Sequence, residues 1–466
     1  MYRKIDPQIL EKLASIAGKE NVITDEYNLD VYSRDYTEDF SFKPEVVIKP
    51  GTVEEISQIV KLANEENIPV YPRGGGTGLS GGALALLGGM CLSMERFKKI
   101  IKIDEDNFQA VVEPGVITQN FHDECEKRGL FYPPDPASRG SCTLGGNLAE
   151  CAGGPRAVKY GVTKDYVLGI EFVSPEGEII NTGAGVLKNV SGYNLTQLIV
   201  GSEGTLGIIT KIIFKLIPLP KYKKVMMAAY DSLENCTRSV AEIFKAGVTP
   251  SALEFMERDA IKAAEDKMGK KFPNSGAEAQ LLIECDGNYE EHVDADIEKI
   301  AEVVEREGAI DMVLAEDSNK MNELWGLRRC IGEAVKSISA YKEEDTVVPR
   351  ANIPPLVKGV KEITQKYGIT AICYGHAGDG NVHVNILKGN EVNPAWDENL
   401  DKAIREIFAL TVSLGGMISG EHGIGYSQKE YLGIALEKNE IDMMKKIKQT
   451  LDPKNILNPG KIFPEN

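Results

Sequence analysis

The sequence from residue 72 to residue 82 reads Pro72-Arg73-Gly74-Gly75-Gly76-Thr77-Gly78-Leu79-Ser80-Gly81-Gly82. Six of these eleven residues are glycine, which loses the most backbone entropy on ordering and therefore disfavours a helix or a strand. Glycine does allow bare backbone N–H groups to approach an anion such as a pyrophosphate. A flexible linker is the alternative, but linkers are rarely flanked by apolar runs such as 68–71 and 83–87. The stretch predicts a phosphate-binding loop.

Three kinds of phosphate loop compete for this stretch. A P-loop would end in Gly-Lys-Ser/Thr, but the next lysine is Lys98. Gly76, Gly78 and Gly81 fit the Rossmann spacing, yet a full crossover helix must follow that pattern, and Gly88-Gly89 interrupts the segment too early. The stretch resembles instead the pyrophosphate loop of FAD-binding domains of the vanillyl-alcohol-oxidase type.

Length, charge and cysteine content limit the remaining possibilities. A chain of 466 residues predicts two or three domains. The net charge of −17 argues against nucleic acid and against an anionic membrane surface as partners. The N-terminus lacks the apolar core of a signal peptide, and the uncharged run 74–94 contains eight glycines, which makes a membrane span improbable. The eight cysteines form no Cys-x-x-Cys pair, which predicts reduced thiols and a cytoplasmic protein.

A strand–helix–strand unit precedes the glycine loop. We predict strands at 45–48 and 68–71, and Thr52 with Glu55 forms a capping box for a helix that ends at Asn64. The loop then follows the carboxyl end of a strand, where open α/β sheets bind ligands. Further strands are predicted at 90–93 and 109–112, a helix at 118–128, and a hairpin from 167–173 and 178–181.

Other irregular stretches resemble further walls of the same flavin site. Residues 132–147 combine Pro-x-x-Pro-x-Ser with Thr-Leu-Gly-Gly, and residues 201–207 read Gly-Ser-Glu-Gly-Thr-Leu-Gly. Besides residues 72–78, the resemblance assigns FAD contacts to Pro136, Ser138, Thr143, Gly145, Gly146, Asn147, Gly153, Gly161, Glu203, Gly204, Ile208, Asn458 and Lys461.

The middle of the chain has a different pattern. Pro218 and Pro220 mark a boundary, and the predicted order after it, from 223 to about 315, is βαββαβ, which is typical of a ferredoxin-like layer. The prediction is an α+β fold with four parts: an N-terminal helical segment (1–41), a vanillyl-alcohol-oxidase-type FAD-binding domain (42–220), a substrate or cap domain (221–420), and a C-terminal segment that returns to the flavin (421–466).

Two histidines in the cap domain predict a metal site. Asp379-Gly380 lies between apolar runs and is a favoured two-residue hairpin turn. A turn centred there pairs His376 with His383 as cross-strand neighbours with Cβ atoms about 5 Å apart, so both imidazoles could bind one ion. Glu421, between glycines and His422, could complete a two-histidine, one-carboxylate set. His422 is then the candidate general base, because histidine titrates near neutral pH.

These motifs resemble those of the flavin-dependent D-2-hydroxyacid dehydrogenases. The resemblance implies a divalent metal (iron, zinc or manganese) bound by His376, His383 and Glu421, with His422 as the base. It also implies that Asn385 lies near the substrate and that Arg328, in Trp-Gly-Leu-Arg, grips the substrate carboxylate. The mechanism that we expect from this resemblance transfers the hydroxyl proton to His422 and the α-hydrogen to flavin N5 as hydride.

Two departures from the family bear on the substrate. Gly332 replaces a hydroxyl residue, and Glu343, with Lys342 beside it, stands where some relatives have a substrate-binding lysine. We predict that Lys342 contacts the substrate. The departures favour a small acid such as D-lactate over 2-hydroxyglutarate, with glycolate as another alternative. Covalent attachment in this fold usually uses a histidine in the first glycine loop, and residues 72–82 contain none, so FAD should be non-covalent.

The electrons must leave by an external acceptor, because no second cofactor motif is present in the sequence. Within the family, the chain resembles the lactate dehydrogenase subunits of anaerobes that work with a two-subunit electron-transferring flavoprotein, where NAD and ferredoxin are coupled. A non-catalytic electron-relay subunit of a larger oxidase is the alternative, but a relay needs neither the metal residues nor the base.

Overall fold

The computed structural model describes residues 2–38, 40–315, 317–389 and 393–464. These residues form two compact units. Unit 1 comprises Met1–Gly153, Val162–Leu219 and Glu421–Asn466, and unit 2 comprises Gly154–Gly161 and Pro220–Gly420. No helix in the described ranges is both long and apolar enough to cross a bilayer.

The helices and strands are given in chain order. The helices are α1 Pro7–Ala17, α2 Glu26–Val31, α3 Val53–Glu66, α4 Thr118–Glu126, α5 Leu144–Glu150, α6 Ala157–Tyr160, α7 Leu195–Ile199, α8 Leu233–Lys245, α9 Arg258–Met268, α10 Glu290–Arg306, α11 Ser318–Lys336, α12 Ile353–Lys366, α13 Pro394–Ser413, α14 Leu432–Ala435 and α15 Lys438–Leu451. The strands are β1 Val22–Ile23, β2 Val46–Ile48, β3 Val70–Arg73, β4 Met90–Ser93, β5 Ile100–Asp104, β6 Gln109–Val112, β7 Leu130–Phe131, β8 Val167–Val173, β9 Ile179–Gly183, β10 Ile208–Lys215, β11 Ile217–Pro218, β12 Tyr222–Tyr230, β13 Ala252–Glu257, β14 Ala279–Gly287, β15 Ala309–Leu314, β16 Tyr341–Val347, β17 Thr370–Gly375 and β18 Asn381–Leu387.

The first sheet of unit 1 carries the glycine loop. Its order is β1-β2-β4-β3, with β2 and β3 both parallel to β4. The predicted helix between β2 and β3 is confirmed as α3, and the Thr52 hydroxyl accepts the N–H of Glu55. The return half of the capping box differs, because the Glu55 carboxylate accepts the N–H of Gly51. Apolar residues of α1 and α3 form the core beneath this sheet.

The second sheet of unit 1 is antiparallel, in the order β5-β6-β10-β8-β9. The predicted strands 90–93 and 109–112 coincide with β4 and β6, and the predicted hairpin is β8–β9. The last segment of the chain joins the first sheet, where Leu457 bridges Val70 in parallel.

Unit 2 is built on one seven-stranded sheet in the order β15-β12-β14-β13-β17-β18-β16. The first four strands along the chain, β12 to β15, adopt the order fourth, first, third, second, so the ferredoxin-like βαββαβ arrangement is confirmed. Helix α9 is an addition between β13 and β14 that the sequence pattern did not predict. Strands β17, β18 and β16 extend the sheet beyond β13. Of the two predicted metal-binding histidines, His383 lies on β18 and His376 lies in the loop that joins β17 to β18.

Candidate active site

The glycine loop follows strand β3, which ends at Arg73, and packs against the irregular stretch 132–147. A Cβ on Gly75 would lie 2.5 Å from the carbonyl oxygen of Ser141, and one on Gly74 would collide with the Thr143 hydroxyl. Gly76 has φ +66°, which L side chains rarely adopt. Glycine is therefore required here, because two backbones pass within contact distance of each other.

A cavity of about 850 Å³ opens where these two stretches meet. Gly74, Gly75 and Thr143 line it, together with Gly115 to Ile117 and strand β5. Its volume falls within the range typical of cofactor sites. The cavity and the closely packed glycine backbones fit the predicted FAD site in unit 1.

Two side chains of the C-terminal segment of unit 1 donate hydrogen bonds to backbone carbonyls at the end of the glycine loop. Asn458 Nδ2 donates to the carbonyl oxygens of Gly82, at 3.0 Å, and Glu203, at 2.7 Å. Lys461 Nζ donates to the carbonyls of Gly81 and Leu84. Burial lowers the pKa of the Lys461 ammonium to about 7, against the opposing effect of nearby carboxylates. Asn458 and Lys461 thus hold the loop, while their contact with FAD stays a prediction.

Other predicted FAD residues differ in their surroundings. Asn147 Nδ2 donates to Thr118 Oγ1 at 2.9 Å, and Arg73 Nη2 donates to the carbonyl of Arg34 at 2.8 Å. The side chain of Ile208 lies in the apolar core, so only its backbone could contact a ligand. Gly161 belongs to unit 2, unlike the other predicted FAD residues.

The remaining residues of this set form turns or close packing in unit 1. Gly145 donates its N–H to Pro114, and a Cβ on Gly204 (φ +68°) would lie 2.8 Å from the Pro72 ring. Pro136 and Ser138 accept the backbone N–H groups of the turn that ends at Cys142. A Cβ on Gly153 would lie 3.1 Å from Glu421 Oε2.

The loop packing gives a testable prediction for FAD binding. We expect Gly75→Val to purify largely without FAD, because the new side chain must displace the Ser141 backbone. Overpacking of this kind costs about 1–3 kcal/mol, which lowers FAD affinity about 5- to 150-fold where that cost falls on the FAD-bound loop. The measurement is FAD bound per chain, from absorbance. Gly140→Ala is the matched control, since a Cβ there meets nothing within 4 Å. Equal FAD content in both variants would contradict the predicted site.

The β17–β18 hairpin of unit 2, which contains the two predicted metal-binding histidines, has a different register from the predicted one. His383 on β18 pairs with Tyr374, not with His376. The connection is a five-residue loop, residues 376–380, in place of the expected two-residue turn, because Gly378 donates its N–H to Leu253 of β13. His376 and His383 are nevertheless close, with ring centroids 5.3 Å apart and nearly perpendicular planes. The predicted pairing was wrong, but the structure brings the two imidazoles together.

A buried carboxylate that sequence reasoning missed joins His376 to Arg328. Glu254 on β13 is fully buried, and its oxygens lie 2.9 Å from His376 Nδ1. Its Oε2 is also 2.6 Å from Arg328 Nη2 on α11. Burial by itself would raise the pKa of the Glu254 carboxyl, but the charges of His376 and Arg328 outweigh it and hold that pKa below its usual range. The only sequence signal for this contact is a glutamate inside the apolar strand Ala-Leu-Glu-Phe.

Asn385 lies on the same face of the sheet as His383. It is fully buried opposite Glu343 and Ile372. The described residues give its Nδ2 and Oδ1 no hydrogen bond of normal geometry, and the Tyr374 phenol is the polar group that interacts with the amide. Buried amides normally have partners, so this one suits a site where a polar ligand completes its hydrogen bonds. Lys336 Nζ lies 2.6 Å from Glu343 Oε2.

Two features of this face bear on predicted substrate residues. Lys342 pairs with Ile386, whereas its neighbour Glu343 pairs with Asn385. Since strand side chains alternate between faces, Lys342 belongs to the other face and does not join the cluster of Asn385 and His383.

Burial, followed by the charge of Glu343, raises the pKa of the Tyr374 phenol well above its usual value, so Tyr374 stays a neutral hydrogen-bond donor.

Glu421 and His422 open the third segment of unit 1. The backbone that follows is fixed by Glu203, whose carboxylate accepts the N–H groups of Ile424 at 2.8 Å and Gly425 at 2.6 Å. Gly423 has φ +84°, and a Cβ there would lie 3.1 Å from Glu203 Oε1. The metal-ligand role of Glu421 and the base role of His422 stay predictions.

Comparison with known proteins supplies the family. Residues 44–183 match the family described as FAD binding domain, and residues 219–462 match the one described as FAD linked oxidases, C-terminal domain. A glycolate oxidase subunit of Bacillus subtilis is 41% identical over 98% of this chain and 97% of its own. A D-lactate dehydrogenase of Anaerostipes hadrus is 39% identical over 99% of this chain and 98% of its own.

Among solved structures, p-cresol methylhydroxylase with substrate bound aligns with a TM-score of 0.79, covering 97% of this chain and 96% of its own. At 18% identity this likeness shows the fold alone. It confirms the predicted vanillyl-alcohol-oxidase-type architecture, and the relatives confirm the resemblance drawn from the glycine and histidine motifs. Because the second family match spans more than half of the chain and both relatives align over nearly all of it, the chain belongs to the FAD-linked oxidases.

Proposed function

We propose that this protein is an FAD-dependent dehydrogenase that oxidises a small D-2-hydroxy acid, with D-lactate to pyruvate as the best candidate. The observation that carries the proposal is the buried polar cluster on one face of the unit 2 sheet. It combines a guanidinium (Arg328), two adjacent imidazoles (His376 and His383) and a fully buried amide (Asn385). A 2-hydroxy acid offers the matching groups, namely a carboxylate and a neighbouring hydroxyl.

Each residue of the chain has a distinct role in this proposal. When bound, FAD supplies a hydride acceptor, and a divalent metal (iron, zinc or manganese) supplies a Lewis acid for the substrate oxygens. Arg328 binds the carboxylate and orients the α-hydrogen. His376, His383 and Glu421 are the proposed metal ligands, Asn385 hydrogen-bonds the substrate, and His422 takes the hydroxyl proton.

Glu343 supports a small substrate. It is buried on the face of His383 and Asn385 and is already paired with Lys336, so a second carboxylate on the substrate would have to compete with Glu343 for that ammonium. D-Lactate and glycolate carry no second carboxylate, whereas 2-hydroxyglutarate does. The relatives named for glycolate and D-lactate are compatible with either of the small acids.

The electron acceptor is proposed from the family resemblance. We propose a two-subunit electron-transferring flavoprotein, coupled to NAD and ferredoxin as in related complexes. We also propose a cytoplasmic location, supported by eight cysteines that carry no disulfide in the described structure.

The test of the proposal is anaerobic flavin reduction. The purified holoprotein is mixed separately with D-lactate, glycolate, D-2-hydroxyglutarate and L-lactate, and flavin absorbance is followed. D-Lactate should bleach the flavin without any other reductant, and it should do so faster than the other three acids. Faster bleaching by D-2-hydroxyglutarate would overturn the small-acid assignment. No bleaching by any acid would overturn the dehydrogenase proposal and favour the electron-relay alternative.

The mode of FAD attachment gives a second prediction. With no histidine among residues 72–82, the flavin should leave the chain intact on denaturation. Acid precipitation followed by chromatography of the supernatant should recover all of it as FAD. A yellow polypeptide pellet would contradict non-covalent binding.

A further inference from the structure

Glu254 is placed where a carboxylate is costly. It lies in the middle of β13, between Leu253 and Phe255, and none of its surface is exposed. A buried charge is tolerated when it is paired and hydrogen-bonded, and otherwise it destabilises the fold. The partners of Glu254 therefore indicate what the residue is for.

Those partners come from two separate elements that meet at this carboxylate. Strand β13 pairs Met256 with Tyr374, and extending that register by two residues brings Glu254 opposite His376. The His376 Nδ1 contacts are 2.9 Å to each oxygen. Arg328 reaches the same carboxylate from α11, with Nη2 2.6 Å from Oε2.

We infer that Glu254 is a positioning residue that couples metal binding by His376 to substrate binding by Arg328. This inference rests on the proposed function. By accepting the proton of His376 Nδ1, Glu254 fixes the tautomer in which Nε2 carries the lone pair for a metal, as carboxylates behind metal-binding histidines do. Through its ion pair with Nη2, it holds the guanidinium close to the imidazole, while Nε and Nη2 form no hydrogen bond with the described residues and can donate to a carboxylate.

The coupling makes a distinctive prediction. Loss of one carboxylate should weaken the binding of two chemically different ligands, a cation and an anion, whereas a purely electrostatic effect would move them in opposite directions. Removing a negative charge by itself favours an anionic substrate and disfavours a cation. A positioning role weakens both.

The sheet offers a matched control in Glu284. This residue is also buried, two positions along β14 from the residue that pairs with Glu254, and it contacts the same helix α11 through Trp325 Nε1 at 2.8 Å. It is bonded neither to Arg328 nor to His376 in the described structure. Glu284→Gln therefore reproduces the loss of a buried carboxylate without the proposed coupling.

The experiment compares Glu254→Gln with Glu284→Gln by two readouts. Metal-free holoprotein is titrated with Zn²⁺ by calorimetry, and the Kd of D-lactate is taken from the concentration dependence of flavin reduction. In Glu254→Gln both dissociation constants should rise about 10- to 100-fold, the usual effect of losing an outer-shell partner, with FAD content unchanged. In Glu284→Gln both should stay within about threefold of wild type.

Three outcomes would overturn the inference: both constants unchanged in Glu254→Gln, opposite shifts of the two constants, or equal losses in Glu284→Gln. If Glu254→Gln does not fold, Glu254→Asp keeps the charge but is too short to reach both partners. It should raise at least one constant about tenfold, and no change would equally overturn the inference. If wild-type flavin is reduced by no hydroxy acid, the proposed function fails, while the Zn²⁺ titration still tests Glu254.

Discussion

Replacing His383 with alanine is expected to remove bound metal and flavin reduction together while FAD stays in place. The imidazole of His383 lies 5.3 Å, centroid to centroid, from that of His376, and the one histidine and one carboxylate that remain in the proposed set are too few ligands to hold a transition metal tightly. Loss of a direct ligand should exceed the about 10- to 100-fold cost of losing an outer-shell partner. FAD should remain because the glycine loop and its cavity belong to unit 1.

Metal analysis, the flavin spectrum and rapid mixing with D-lactate measure the three quantities on one preparation. The control is His292→Ala, which removes an exposed histidine on helix α10 of the same unit. It should keep the wild-type metal content and rate. A His383→Ala protein with full activity, or a wild-type protein that is active without any metal, would refute the ligand assignment.

Local sequence signals predicted most of the framework, because they act over a few residues. The Thr52 cap and the apolar face of α3 specify that helix. The hairpin β8–β9 follows from its Pro-Glu-Gly turn between β-branched runs. The ferredoxin-like order of β12 to β15 follows from the alternation of strands and helices.

Long-range contacts decided what the sequence could not predict. Asp379-Gly380 has the composition of a two-residue turn, but the hydrogen bond from Gly378 to Leu253 and the one from Val348 to Gly380 hold a longer loop. These partners lie far away in sequence, so turn composition cannot reveal them. The shift of two residues keeps His376 and His383 on one face, since side chains alternate with a period of two, and for that reason the two histidines still meet.

Burial of charge is the other property that pattern reading missed. Lys342 and Glu343 are adjacent in sequence, yet only the register of β16 against β18 assigns Glu343 to the face of Asn385 and Lys342 to the other. The role of Glu254 could not be predicted for the same reason. It depends on contacts with Arg328 and His376, which lie 74 and 122 residues further along the chain.

The second large effect separates the base from the ligand at two adjacent residues. His422→Gln should keep the metal but remove the proton acceptor, so flavin reduction should slow by about 10²- to 10⁴-fold. Glu421→Gln removes a negatively charged oxygen, so its metal content should fall, and added metal should restore part of its rate. Both substitutions should be tolerated structurally, because Glu203 holds the following turn through Ile424 and Gly425.

Rapid-mixing flavin reduction by D-lactate, with metal analysis before and after adding Zn²⁺ or Mn²⁺, distinguishes the two roles. Added metal should not repair His422→Gln, since a bound ion cannot replace a missing proton acceptor. Unchanged flavin reduction in His422→Gln would remove His422 from the mechanism. If His422→Gln loses the metal and Glu421→Gln retains it, the two residues have exchanged roles, and the ligand set becomes three histidines, with Glu421 as the group that takes the hydroxyl proton.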